Sequence, residues 1–298
     1  MRGTLKREKI FNQGAQSLRT FGVDNDSYAC PICCIVHGRD SLADGSLTLE
    51  HVPPKSIGGK AIVLTCRSCN NSAGSQYEVE HKRFDDQASI TERILKGAPL
   101  KQPINVLATF GGIEVPAIIS AGSKLEIGLS DRNMSPPNFT KVMANVSGKN
   151  GPVDIQIELP RPIDFDKLYL ADTKSAFLAA TALFGYAFAL NDTLALVRKQ
   201  ILYPDRNFHS VKYAVTPNMP EKSIALCRTI GVVLVKIQGR VNVLPWIDFD
   251  YNHFLEVSEQ IDKLAPTGEL YWIPKYFSAI LDRSKGNTFS FRKGQLSQ

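Results

Sequence analysis

The sequence predicts an α+β protein in which a small N-terminal strand–strand–helix module precedes a larger α+β domain built around a central helical hairpin. Three observations lead there. Two Cys-x-x-Cys pairs, Cys30-Pro-Ile-Cys33 and Cys66-Arg-Ser-Cys69, enclose 32 residues, room for two short strands and their turn. The 15-residue run from Ala176 to Leu190 is small and apolar throughout, as a buried helix requires, and Asn191-Asp192 keeps it too short for a membrane span. From residue 104 onward, β-favouring runs recur between Gly, Pro and Ser.

Taken in order, residues 1–26 are read as a basic arm or strand, because Arg2, Lys6, Arg7, Lys9 and Arg19 face only Glu8 in the first 20 residues. Within residues 27–84, Leu47-Thr48-Leu49 alternates as a strand, and Pro53-Pro54 removes two ladder donors. Gly58-Gly59 turns the chain into a second strand, Ala61 to Leu64. Ala73, Tyr77 and His81 share one helical face. Residues 85–103 form a linker helix, Asp85 to Leu95, and a connector containing Gly97, Pro99 and Pro103.

Residues 104–298 form the larger domain. Strands are expected at Ile104 to Phe110, Ile113 to Ile119, Val153 to Leu159, Ser223 to Cys227, Val232 to Ile237 and Val241 to Leu244, with Gln238-Gly239 as a hairpin turn. The apolar helix, with Lys174 at its start, pairs with a second helix from Thr193 to Gln200, and a last helix runs from Leu255 to Leu264. This domain shows no catalytic constellation; recognition, regulation and self-association all remain open for it, including a homo-oligomer or a regulatory protein partner.

Composition fits a two-part globular protein: 298 residues, 43% hydrophobic and 21% charged, with no low-complexity tract or repeat. A net charge of +6 and a pI near 8.9 are compatible with nucleic acid without requiring it. A second basic stretch, Arg283, Lys285, Arg292 and Lys293, lies near the C-terminus. The charged start of the chain lacks a secretory apolar segment, so a reducing, cytoplasmic setting is expected, in which the four paired cysteines hold structural Zn²⁺ rather than forming two disulfides. Cys34 and Cys227 are read as small buried thiols.

The two cysteine pairs bracket Glu50-His51, and the second runs directly into Asn70-Asn71. This arrangement, over residues 28–84, resembles the HNH, or ββα-metal, endonucleases braced by a four-cysteine zinc. The resemblance implies that His51 is the general base, that Glu50 and Asn70 hold a catalytic divalent cation, and that DNA is cut to 5′-phosphate and 3′-hydroxyl ends, in defence against phage or in mobile-element biology. Glu50 stands where the family more often has Asp or His, and no Asn lies between His51 and Cys69 to orient the base, a task left to Asn71 or a backbone carbonyl.

The chemistry agrees on its own terms. Phosphodiester hydrolysis needs an activated water and neutralisation of the charge that builds on the phosphate. A near-neutral His suits the first, and oxygen ligands such as Glu50 and Asn70 suit Mg²⁺ or Mn²⁺. Neighbours in a regular strand face opposite ways, so the strand must end or distort at Glu50-His51 for both to converge on the helix. Lys55, Lys60 and Arg67 flank the pair as phosphate contacts. RNA is open to the same chemistry. His37 is read as a loop residue, His81 as an ordinary helix position, and His209 and His253 as satisfied or exposed. The competing reading is a zinc-dependent nucleic-acid-binding or scaffold protein without catalysis.

Overall fold

The computed structural model describes residues 2–24, 26–110, 112–121, 125–129, 140–144, 155–159, 161–209, 212–214, 219–220, 223–228, 231–258 and 270–271. The chain divides into two compact units, one drawn from residues 1–81 and 165–298, the other from 82–164. This differs from the expected succession of an arm, a module ending at 84, a linker to 103 and a domain from 104. The helix expected to lie inside the later domain packs instead on the N-terminal strands.

Residues 2–18 form a helix, α1 (Arg2–Leu18), rather than an extended arm. Its inner stripe is Ile10, Phe11, Ala15 and Leu18, all buried at helical spacing. It lies on β1 (Ser27–Ala29), which pairs antiparallel with β2 (Val36–Gly38), and on β4 (Lys60–Cys66). Phe11 stacks on Tyr28 with ring centroids 5.8 Å apart, and Tyr28 both donates to the Leu64 carbonyl (3.0 Å) and accepts from the Leu64 amide (3.1 Å). Gly14 permits the close approach: a Cβ there would fall 2.3 Å from the Tyr28 ring.

β3 (Leu47–Val52) and β4 form an antiparallel hairpin, followed at once by α2 (Arg67–Gln76). Both strands run longer than expected. The hairpin loop is closed so tightly that a Cβ on Gly59 would sit 1.4 Å from the Pro53 carbonyl oxygen, which makes glycine obligatory there. The chain breaks at Tyr77-Glu78 before α3 (Val79–Leu95), and the unit boundary falls within that helix. His81 and Tyr77, read as one face of a single helix, thus lie on either side of a break.

The apolar run belongs to α4 (Phe165–Phe184), which touches β3, β4, β11 (Val232–Ile237) and β12 (Arg240–Pro245). A helix covered on several sides has no reason to be amphipathic, and residues 170–181 of α4 are buried throughout. Lys174, read as lying at the helix start, is mid-helix and 0% exposed. Gly185, at φ 76°, ends α4 and turns the chain into α5 (Tyr186–Ala189). The Asn191 side chain accepts from the Thr193 amide, and α6 (Ala195–Leu202) follows.

The sheet behind α4 is antiparallel, in the order β13 (Leu270–Tyr271), β10 (Ser223–Cys227), β11, β12, β9 (Lys212–Ala214). Gln238 and Gly239 both have positive φ (51° and 78°), the geometry of a two-residue type I′ turn. α7 (Tyr251–Ser258) begins before the expected helix; residues 259–264 of that expectation, and the basic stretch at 283–293, lie outside the described residues.

The second unit holds the four-stranded antiparallel sheet β7 (Leu125–Leu129), β6 (Ile113–Ala121), β5 (Ile104–Phe110), β8 (Ile155–Glu158). Val106, Ala108 and Phe110 alternate inward against Val115, Ala117 and Ile119, as a sheet with one covered face demands.

Two charged residues of α4 are buried. Asp172 accepts from Arg240 at 2.5 and 3.0 Å and pairs with His81 at 2.8 Å. Burial alone raises the Asp172 carboxyl pKa; hydrogen bonds from His81 and Arg240 outweigh it and hold the group below the ordinary carboxylate value. Removing the carboxylate takes away the partner shared by the Arg240 guanidinium and the buried His81 ring, so Asp172→Asn is expected to cost about 3–5 kcal/mol in denaturant unfolding at pH 7. Because the folded pKa is the lower one, the difference from wild type should be full above about pH 4 and shrink as pH falls through the folded value. An unchanged midpoint at pH 7 would show the network to be dispensable.

Candidate metal and nucleic-acid site

The two cysteine pairs meet. Cys30, Cys33, Cys66 and Cys69 place their sulfurs within 4.8 Å of one another, and the Cys33–Cys66 separation is 3.6 Å. A tetrahedral zinc with bonds of about 2.3 Å needs sulfurs about 3.8 Å apart, so the donor set suits the ion in kind and spacing. None of the four is in a disulfide. Cys30 and Cys33 sit on a knuckle after β1, while Cys66 is the last residue before α2 and Cys69 lies in the first turn of that helix. The Cys66 amide donates to Cys30 Sγ at 3.4 Å, a sulfur–amide bond that tethers the second knuckle to the first. Thiol hydrogen bonding with Cys30 draws Cys33 down to about 7, within reach of deprotonation by a metal at neutral pH. Cys34 is exposed, at φ 63°, rather than buried; Cys227 is buried as expected.

The β3–β4 ladder is irregular between Glu50 and His51: Glu50 opposes Val63, His51 opposes Ala61, and Ile62 is the extra residue. The distortion expected from the prolines therefore lies at the right place, with the inserted residue on the partner strand. Glu50 is 3% exposed. Its Oε2 accepts from Thr65 Oγ1 at 3.0 Å, and its Oε1 lies 3.1 Å from Lys174 Nζ. The same ammonium donates to Glu78 at 2.7 Å. Asn70 donates its amide to Thr48 Oγ1 (2.9 Å), and Thr48 in turn donates to the Thr65 carbonyl (3.2 Å). Asn70 and Glu50 thus stand at two ends of one hydrogen-bonded chain across the hairpin, without touching.

This geometry gives no support to a divalent cation at Glu50. Both carboxylate oxygens are engaged, and the cation in contact with them is an ammonium of the chain itself. Mg²⁺ at about 2.0–2.1 Å would have to displace it. The sequence places Lys174 only at a helix start and does not single out Glu78, although a lysine next to an apolar helical run can signal a paired, buried charge.

His51 is half-buried, and among the described residues its ring makes no hydrogen bond, so neither Asn71 nor a carbonyl orients it. Burial, then the charges of Lys55 and Lys6, lower its pKa from the ordinary value. Lys6, on α1, is itself lowered by burial and by Lys60. Lys55 and Lys6 therefore place positive charge at His51, and Lys60 acts in turn on Lys6; Lys55 and Lys60 are exposed. Arg67 is otherwise employed, donating to the Gly45 and Asp44 carbonyls at 2.9 and 3.2 Å. His37 takes no part in the cysteine cluster, and His81 is buried against Asp172. His209 and His253 stack on Phe254 and Phe249.

No protein-family model, curated protein or solved structure matches the chain. Among the described residues, no helix is long and apolar enough to cross a membrane.

Elemental analysis of the purified protein is expected to find one zinc per chain. Cys66→Ser should lose it and unfold the β3–β4–α2 segment, while Cys34→Ser and Cys227→Ser keep it. Full zinc content in Cys66→Ser would overturn the four-sulfur assignment.

Proposed function

We propose that the protein is a nuclease that hydrolyses DNA phosphodiester bonds, with His51 as the general base. The observation that carries this reading is His51 itself: half-exposed at a ladder irregularity, one hairpin away from a four-cysteine cluster, and held neutral by burial and by Lys55 and Lys6. A neutral imidazole accepts a proton from water, and the lysines that keep it neutral are also ligands for a phosphate. Of the two residues assigned to Mg²⁺ or Mn²⁺, Asn70 remains at the hairpin face with Thr48, whereas Glu50 serves Lys174. A role in phage defence or on mobile elements suits such an activity, and RNA is the second substrate to test.

A second reading, a zinc-stapled nucleic-acid-binding protein without catalysis, has a specific observation in its favour: the Glu50 carboxylate is buried and occupied by Lys174.

Supercoiled plasmid and a structured RNA, incubated with and without added Mg²⁺ or Mn²⁺, separate the two. Chelators are unsuitable, since they also attack the zinc. Cleavage is expected, and His51→Ala, folded and zinc-loaded, should lower its rate about 10²–10⁴-fold. Retarded migration without nicking under every condition would establish the binding reading.

The pH profile supplies a further check. Since the folded His51 pKa lies below the ordinary value of about 6.5, the acid limb should fall below that pH. Lys55→Ala removes one depressing charge and should move the limb upward. A limb that stays put in Lys55→Ala would detach the observed titration from His51.

A further inference from the structure

We infer that Lys174 is the resident cation of the Glu50 site: its ammonium, in place of a divalent ion, pairs with Glu50 and Glu78 and positions the His51-bearing strand against α4. The inference rests on the nuclease reading for the meaning of His51, but its chemistry is independent of that reading.

Lys174 Nζ lies 2.7 Å from Glu78 Oε1 and 3.1 Å from Glu50 Oε1, with its side chain 0% exposed and those of Glu78 and Glu50 at 10% and 4%. Glu50 belongs to β3, Glu78 to the break between α2 and α3, and Lys174 to α4. One ammonium therefore joins three elements. A lysine suits the task, because three donors on a compact charge reach separate carboxylates that a planar guanidinium would bind one at a time. Thr65 fills the remaining oxygen of Glu50, and the residue bonded next to Glu50 is His51.

The alternative to exclude is a divalent ion in the same place. Such an ion would leave Lys174 buried without a partner, in a helix whose flanking residues Ala171, Ala176, Phe177 and Leu178 are apolar and buried. Two carboxylates facing one ammonium also leave one negative charge in excess. Loss of either carboxylate therefore brings the cluster to neutrality, so Glu50→Gln and Glu78→Gln are compatible with folding, whereas loss of Lys174 leaves two facing anions.

The test is a Mn²⁺ titration of full-length, zinc-loaded protein followed by electron paramagnetic resonance, with the His51 ring titrated by NMR. Wild type, Glu50→Gln and Glu78→Gln are expected to bind Mn²⁺ alike, within twofold. A saturable wild-type site weakened tenfold or more by Glu50→Gln would overturn the proposal. For the positioning role, Lys174→Met should move the His51 midpoint by about half a pH unit or more. A folded Lys174→Met with an unmoved midpoint would reduce Lys174 to a structural ion pair. If Lys174→Met does not fold, Glu78→Gln, which removes one arm of the clamp, carries the same His51 measurement with the same two outcomes. Plasmid cleavage is scored separately: the expected Mn²⁺ result without any cutting sinks the nuclease reading and leaves this one standing.

Discussion

A single buried ammonium sets the arrangement of the N-terminal strands. Lys174 is wholly enclosed on α4 and, among the described residues, is satisfied by Glu50 and Glu78, so those groups must come together when the core forms. Burial alone lowers the Lys174 pKa; the two carboxylates outweigh it and leave it raised. The lysine is therefore charged at neutral pH, and a buried charge is tolerated only where its partners are fixed. Apolar packing alone would let α4 slide or rotate against the hairpin with modest loss. The ion cluster makes one register far better than its neighbours. Asp172, two residues earlier, adds His81 and Arg240 to the same helix and so links the hairpin side of the core to the β11–β12 side.

The cysteine cluster solves a different problem. The strands of the β3–β4 hairpin are only six and seven residues long, and among the described residues no third strand joins them; isolated two-stranded hairpins are marginal in water. Four sulfurs brought within 4.8 Å fix the end of the hairpin at which α2 begins. The opposite end, with Glu50, His51 and the closed Pro53–Gly59 loop, is held by α4 and α1. His51 thus lies away from the four cysteines, on a segment supported from elsewhere, so a zinc held by them would serve as scaffold and not as chemistry.

Much of this was visible in the chain before its structure. Turns with obligatory glycines, Gly58-Gly59 and Gln238-Gly239, and strands bounded by them are local properties, and those strands appear where their patterns put them. The four sulfurs were legible because metal chemistry constrains spacing. Contacts between distant residues were not. Lys174 is 124 residues from Glu50 in the sequence, and nothing near either announces the other. The domain boundary failed for the same reason, since the apolar helix looked like the core of whatever surrounds it in sequence. α1 was missed because five basic residues obscured a stripe of Ile10, Phe11, Ala15 and Leu18 whose period is plainly helical.

The helical state of α1 bears on the electrostatics of His51. In a frayed arm, Lys6 would be a mobile charge, screened by salt and contributing little at any one point. As part of α1 it precedes the buried Ile10 by one turn, so the packing that secures the helix also fixes where the charge stands. Lys6 depresses the His51 pKa together with Lys55, and such an effect requires that the cations be held near the ring in the resting protein. A phosphate arriving there would meet positive charge already in place, without the cost of gathering it, and its own negative charge would oppose the lysines' pull on the imidazole. On the proposed nuclease reading, the ring would become a stronger base once a phosphate is bound, and the arrival of an anion would be coupled to the ability of His51 to take a proton from water.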